Sequence, residues 1–196
     1  MNSLTSKDLR RPLFVEFRSQ DTRRNLPEAV ARKRTEINFL RRFERAYFTE
    51  ELGIALAGRE FALQGFGRAD LVWLAWTDNT DSKDFTALAL KKRVRLTAIE
   101  AKMSDWRKGL QQAFRYRYFA HRSLLVLPLK TATRAARFLD TFRKLGVGLW
   151  GFDAKTGHLR KRFTPRPASP MDSVALKKAL HLIESGLKLG QAAKRP

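Results

Sequence analysis

The side chains best suited to chemistry fall in three short stretches. Asp70 lies in Gly67-Arg68-Ala69-Asp70, Glu100 and Lys102 in Ile99-Glu100-Ala101-Lys102, and Gln112 and Tyr116 in Gln112-Ala113-Phe114-Arg115-Tyr116. In an extended strand successive side chains alternate between faces, so Glu100 and Lys102 project from one side while Ala101 turns away. An acid and an ammonium then stand side by side. An Asp70 at the end of a neighbouring strand brings a second carboxylate to the same point. Hard oxygen donors of this kind suit Mg²⁺ or Mn²⁺. A cation so held beside a proton-handling lysine is the chemistry of phosphodiester hydrolysis.

Periodicity and turn residues outline the elements that must position these groups. Residues 1–35 read as a basic arm with one extended piece around Leu13–Phe17. A helical pattern, one helix or two, runs from Pro27 through Ile37, Leu40, Phe43, Tyr47 and Ile54 to a stop at Gly58. Residues 60–64 read as a strand, Gly65-Phe66-Gly67 as a tight turn, and residues 69–76 as a central strand apolar on both faces. A third strand within residues 87–103 delivers Glu100 and Lys102. Ser104-Asp105 is a good N-cap for a helix reaching about His121, because short polar side chains accept free backbone N–H groups. A strand at Leu124–Leu127, a helix at Thr131–Leu145 and a strand at Val147–Phe152 follow. The class expected is α/β, a mixed sheet flanked by helices. The core spans residues 36–153, and residues 154–196 form a basic extension ending in a helix over about 172–189.

Charge narrows the partner. Lys and Arg number 40 against 19 Asp and Glu, a formal net charge of +21 with a pI near 11.2. Such a surplus repels itself in the folded state unless a polyanion offsets it, which points to nucleic acid, with an acidic membrane surface as the competitor. Cysteine is absent, so disulfides, thiolate zinc sites and cysteine nucleophiles are excluded. His121, His158 and His181 lack the close spacing of histidine zinc sites. No apolar run reaches the roughly 20 residues that span a bilayer, and no apolar signal core opens the chain, so a cytoplasmic protein is expected.

Asp70 followed by Glu100-x-Lys102, with Gln112 on the next helix, resembles the PD-(D/E)XK nuclease superfamily over roughly residues 40–152. Ala69 stands where the family pattern has proline, a replacement that removes no ligand. The resemblance implies a restriction-endonuclease-like fold and a metal-dependent DNA nuclease giving 5′-phosphate ends. It implies metal ligands from Asp70, Glu100 and the Ala101 carbonyl, water orientation or charge stabilisation by Lys102, and positioning of the attacking water or the DNA backbone by Gln112. The family usually adds a helix-borne glutamate. By helical angle Glu51 is first choice and Glu44 second. Lys108, Arg115, Tyr116, Arg160, Lys161 and Arg162 are candidates for nucleic-acid contact, and Trp106 reads as packing. The alternatives left open are a non-catalytic nucleic-acid-binding module on the same fold, RNA as substrate, and a homodimer or a larger complex. Glu100 and Lys102 could also form only a surface ion pair.

Overall fold

A computed structural model of the chain describes residues 13–14, 34–51, 55–76, 85–86 and 93–192. Its strands are β1 (Leu13–Phe14), β2 (Ala55–Leu63), β3 (Gly67–Trp76), β4 (Val94–Ala101), β5 (Arg122–Pro128), β6 (Val147–Phe152) and β7 (Leu159–Phe163). Its helices are α1 (Arg34–Glu50), α2 (Trp106–Tyr116), α3 (Leu129–Ala135), α4 (Leu139–Leu145) and α5 (Ser173–Ala192), with a 3₁₀ turn at Ala136–Phe138 between α3 and α4. The strands form a single seven-stranded mixed sheet in sequence order. Strands β2, β3 and β4 are antiparallel, β4 to β6 run parallel, β7 returns antiparallel to β6, and β1 lies parallel to β2. The parallel steps need crossovers, which α2 and the α3–α4 pair supply.

The sheet is covered unequally. On one face Phe39, Leu40, Phe43 and Tyr47 of α1 pack on Ala57, Leu71, Trp73, Ile99, Trp150 and Phe152. The opposite face carries α2 to α5, in one cluster holding Val72, Leu74, Leu96, Ala98, Tyr116 and Ile183, and another holding Leu110, Leu125, Leu127, Phe142 and Leu149. Each such aromatic or aliphatic side chain stabilises the fold by about 1.5–3 kcal/mol on full burial. Strand β3 is apolar on both faces, as its composition predicts, because it lies between covered faces.

Several elements differ from the sequence-based expectation. Gly58 is inside β2 and does not stop a helix; the strand already begins at Ala55. The stripe of α1 is centred on Phe39, Leu40, Phe43 and Tyr47, and Ile37 is exposed. Pro27 and Ile54 lie outside the described residues. Helix α2 ends at Tyr116, well short of His121. There the carbonyls of Arg117 and Tyr118 accept bonds of 3.0 Å from the Met171 and Asp172 amides, so a distant segment takes acceptors that a longer helix would have used. The Thr131–Leu145 helix is two helices separated by the 3₁₀ turn, with Gly146 in the left-handed region (φ 64°) closing α4. Residues 159–163, read as part of a basic extension, are a strand of the main sheet, and Ala175, Ala179, Leu180 and Ile183 of α5 are core residues. No helix among the described residues is long and apolar enough to cross a membrane.

Candidate active site

The antiparallel ladder between β3 and β4 ends at the pair Leu71–Ile99. Asp70 and Glu100 come next in this register, and there the ladder stops. The Asp70 carboxylate takes over one of the freed groups: its Oδ2 accepts from the Ala101 N–H at 2.7 Å. Both carboxyls are 1% exposed. The irregularity continues into β2, where Glu60 faces the same level and carries a φ of 54°, an uncommon left-handed conformation for a residue with a side chain. Arg68 ties this corner through an ion pair with Glu60 at 3.0 Å.

Glu100 is held from two sides. Lys102 Nζ approaches its Oε1 at 2.8 Å, and the Tyr116 hydroxyl lies 2.6 Å from its Oε2. The same hydroxyl lies 2.7 Å from the Arg68 carbonyl oxygen. A phenol has one proton to donate, and a carbonyl only accepts. Both short contacts are therefore satisfied together when Glu100 carries a proton and donates it to the phenol oxygen. The electrostatics agree. Burial first, and then the Asp70 charge, raise the Glu100 carboxyl to about 7 despite Lys102 and Tyr116. Burial works against the Lys102 ammonium, but Glu100, Asp70 and Glu36 together outweigh it and hold its pKa above the ordinary value. Burial, reinforced by Glu100, keeps the Tyr116 phenol protonated by raising its pKa.

Helix α2 brings its own set. Asp105 caps it as expected, its Oδ1 accepting from the Lys108 N–H at 3.1 Å. One turn on, Gly109 lies so close to the sheet that a Cβ there would meet Leu125 Cδ1 at 2.7 Å and Lys102 Cγ at 2.8 Å. This glycine lets the Lys102 stem pass beneath the helix. No motif in the sequence marks it, although a glycine inside an amphipathic helix, costing about 1 kcal/mol against alanine, is itself a signal of close approach. Gln112 falls on the same helical face, between Gly109 over Lys102 and Tyr116 bonded to Glu100. Its Oε1 is buried without a hydrogen-bond partner. Tyr116 is not a nucleic-acid contact: it is 1% exposed and holds Glu100 in place.

Neither α1 glutamate chosen by helical angle, Glu51 or Glu44, is among the charges that act on Lys102. Glu44 is 2% exposed and bound through both oxygens to Arg59, at 2.6 and 2.5 Å. Glu51 follows the C-terminal end of α1, where its charge acts on Tyr47, whose phenol hydrogen-bonds Thr97. Thr97 is four residues from Ala101 along β4, about 13 Å away in a strand. Glu51 thus lies toward the Thr97 side of α1, fifteen residues and about 22 Å of helix from Glu36 in the first turn. The α1 residue whose charge reaches Lys102 is Glu36, in the first turn. Because α1 covers the face opposite α2, only its end nearest the Ala101 rim can approach the site.

The donor set fits a hard divalent cation. Two adjacent buried carboxylates, with substrate phosphate and water completing the shell, are what Mg²⁺ ordinarily uses. Among the described residues no three or more His, Cys, Asp or Glu side chains are grouped so that they could hold a metal ion, so no further side-chain ligand is assigned.

The basic candidates part company. Lys108 and Arg115 are exposed on α2. Arg160 is exposed on β7, whereas Lys161 pairs with Glu50 at 2.5 Å and lies 4.7 Å over the Trp150 ring on the α1 side. Arg162 turns to the other face and donates to Thr133 Oγ1 at 2.9 Å. Comparison with protein-family models, curated proteins and solved structures finds no match to this chain.

Proposed function

We propose that this protein is a divalent-cation-dependent deoxyribonuclease, acting as an endonuclease on a restriction-endonuclease-like fold. The observation that carries the reading is the meeting of Asp70 and Glu100 at the end of the β3–β4 ladder, with Lys102 against Glu100. The strand order supports it as well: an antiparallel β2–β3–β4 meander, then α2, then β5 parallel to β4.

Asp70 and Glu100, with the Ala101 carbonyl that the family resemblance adds, would hold Mg²⁺ or Mn²⁺. When bound, the cation supplies charge neutralisation at the phosphate and a water of lowered pKa. The chain's own residues do the rest. The Ala101 amide fixes the Asp70 carboxylate. Tyr116 fixes Glu100 and stands ready to donate to it once it is ionised. Lys102 presents a protonated ammonium at the rim, where it orients a water or stabilises charge developing on the phosphate. Gln112 offers an unsatisfied amide oxygen to the attacking water or to the sugar-phosphate backbone. Glu36, reaching Lys102 from α1, takes the place of the helix glutamate.

The test is cleavage of plasmid and single-stranded DNA. Activity is expected to vanish in EDTA, to return with Mg²⁺ or Mn²⁺, and to be lost in Asp70→Ala, Glu100→Ala and Lys102→Ala with DNA binding largely retained. Glu36→Gln is expected to slow cleavage, and Glu51→Gln to leave it unchanged. Undiminished cleavage in excess EDTA, or full activity of Asp70→Ala, would overturn the proposal.

A further inference from the structure

Where the chain leaves β4 and enters α2, a cavity of about 410 Å³ is lined by Ser104, Asp105, Trp106, Arg107, Arg134, Arg137 and Phe138. Phe138 is 46% exposed, the one aromatic ring among the large hydrophobic side chains that the described residues leave exposed. It lies 5.1 Å from Trp106 at an interplanar angle of 31°, and Trp106 in turn rests 6.0 Å from the fully buried Phe142. Packing therefore anchors Trp106, as its place at a helix start predicts, and the exposed Phe138 ring lies tilted against it. The Arg107 guanidinium covers both, 4.6 Å from the Trp106 centroid and 5.5 Å from that of Phe138.

The three arginines have no carboxylate partner among the described residues. The lone acid of the cavity, Asp105, is already engaged in capping α2. A pair of aromatic rings, one of them exposed, with a guanidinium over them and two further guanidiniums in the lining matches a ligand that has both a π-face and a negative charge. A nucleotide has both, and a cavity of this size holds one. The position is set by the chain itself: Asp105 is three residues from Lys102, so the cavity wall begins within about 11 Å of the Lys102 backbone. The Thr131 hydroxyl, donating to the Met103 carbonyl at 3.1 Å, fastens α3 to this connection.

We infer that this cavity receives one unpaired nucleotide of single-stranded DNA, its base stacked on Phe138 and its phosphates met by Arg134 and Arg137. The inference rests on the nuclease reading for its substrate and names that substrate's class: strands with an unpaired segment next to the scissile phosphate. Base pairing hides the π-faces of a duplex inside its stack, so duplex DNA gains the charge contacts and not the ring.

The experiment measures binding of the full chain to fluorescein-labelled oligo-dT, and to a duplex of the same length, by anisotropy in EDTA. Phe138→Ala is expected to weaken oligo-dT binding roughly tenfold and to leave duplex binding unchanged, with Phe138→Tyr restoring the lost affinity. Arg134→Ala combined with Arg137→Ala is expected to lower the magnitude of the salt slope on oligo-dT by about 1.4, the value for two phosphates of a single strand. Unchanged oligo-dT affinity in Phe138→Ala, or an equal loss on the duplex, would overturn the inference. Binding in EDTA is read apart from cleavage. Selective loss in a protein that cuts nothing with Mg²⁺ retains the nucleotide site and removes the nuclease. Cleavage together with an unaffected Phe138→Ala retains the nuclease and removes the site.

Discussion

Glu100 shows what holding two carboxyls together does to the protein that holds them. Burial and the neighbouring Asp70 raise its pKa to about 7, so the folded chain binds this proton more tightly than the unfolded chain does. The stability it contributes is fully present below the unfolded carboxyl value and is lost as pH rises through about 7. Lys102, raised as well, keeps its proton throughout that window and does not reverse the trend. Glu100→Gln cannot ionise. We therefore expect the melting temperature of the native protein, free of metal, to fall between about pH 5 and about pH 8, and the fall to be smaller in Glu100→Gln. Thermal melts across that range check it; equal pH dependence in the two proteins would refute the raised carboxyl. Tyr116 is part of the same account. Its type and its spacing from Gln112 singled it out, but a tyrosine on a basic helix reads equally as a base-stacking group or as a support. Its burial decides for support.

At the scale of the element, α2 is the device that brings the second half of the site onto the first. Gly109 makes this possible, and two effects compete if it is replaced. Alanine gains about 1 kcal/mol of helix propensity. The new methyl, however, meets a fully buried Leu125 and the Lys102 stem at under 3 Å, and forced overpacking costs typically about 1–3 kcal/mol. Leu125 has nowhere to go, so Lys102 is the group that moves. Gly109→Ala is expected to lower the melting temperature only slightly and to cut the cleavage rate by about 100-fold, the scale of a displacement near 1 Å at a reacting centre. Comparing calorimetry with single-turnover cleavage separates the two, and a variant that cleaves normally would show that Lys102 needs no such clearance. The α1 stripe makes the same point from the other side. Its apolar spacing was legible, yet a one-residue difference in its centre and the face on which α1 lies decided that Glu44 pairs with Arg59 and that Glu36 looks toward Lys102.

For the whole molecule the governing quantity is the formal charge of +21. Cations already tied to acids contribute less to a polyanion than free ones, so the arrangement of the surplus matters more than its size. Lys108 and Arg115 are seven residues apart on one exposed side of α2, about 10 Å along the helix. Lys161 is already paired with Glu50 and seated on Trp150. Replacing Lys108 and Arg115 together by alanine is expected to reduce the magnitude of the slope of log K against log salt on duplex DNA by about 2. Lys161→Ala is expected to leave it unchanged. Titrations at several salt concentrations check both; equal effects would place β7 on the DNA after all.

By itself the sequence determined the α/β class, the basic character, the strands that carry Asp70 and Glu100 and the shared side of Glu100 and Lys102. The reason is local: strand alternation fixes that Glu100 and Lys102 share a side, and Gly65 to Gly67 force the turn that returns β3 beside β2. Tertiary structure alone decided which distant groups those side chains meet. The stop of α2 depends on amides from the approach to α5. The strand at Leu159–Phe163 exists because β6 offers it an edge, although its run of basic residues carries little strand signal of its own. The partner of Lys161, the inward turn of Tyr116 and the exposed ring of Phe138 all follow from how helices lie on the sheet. A periodic pattern fixes which side of an element is apolar, but which face of the sheet covers that side, and which end of the helix overhangs the site, depend on packing among residues far apart in the chain.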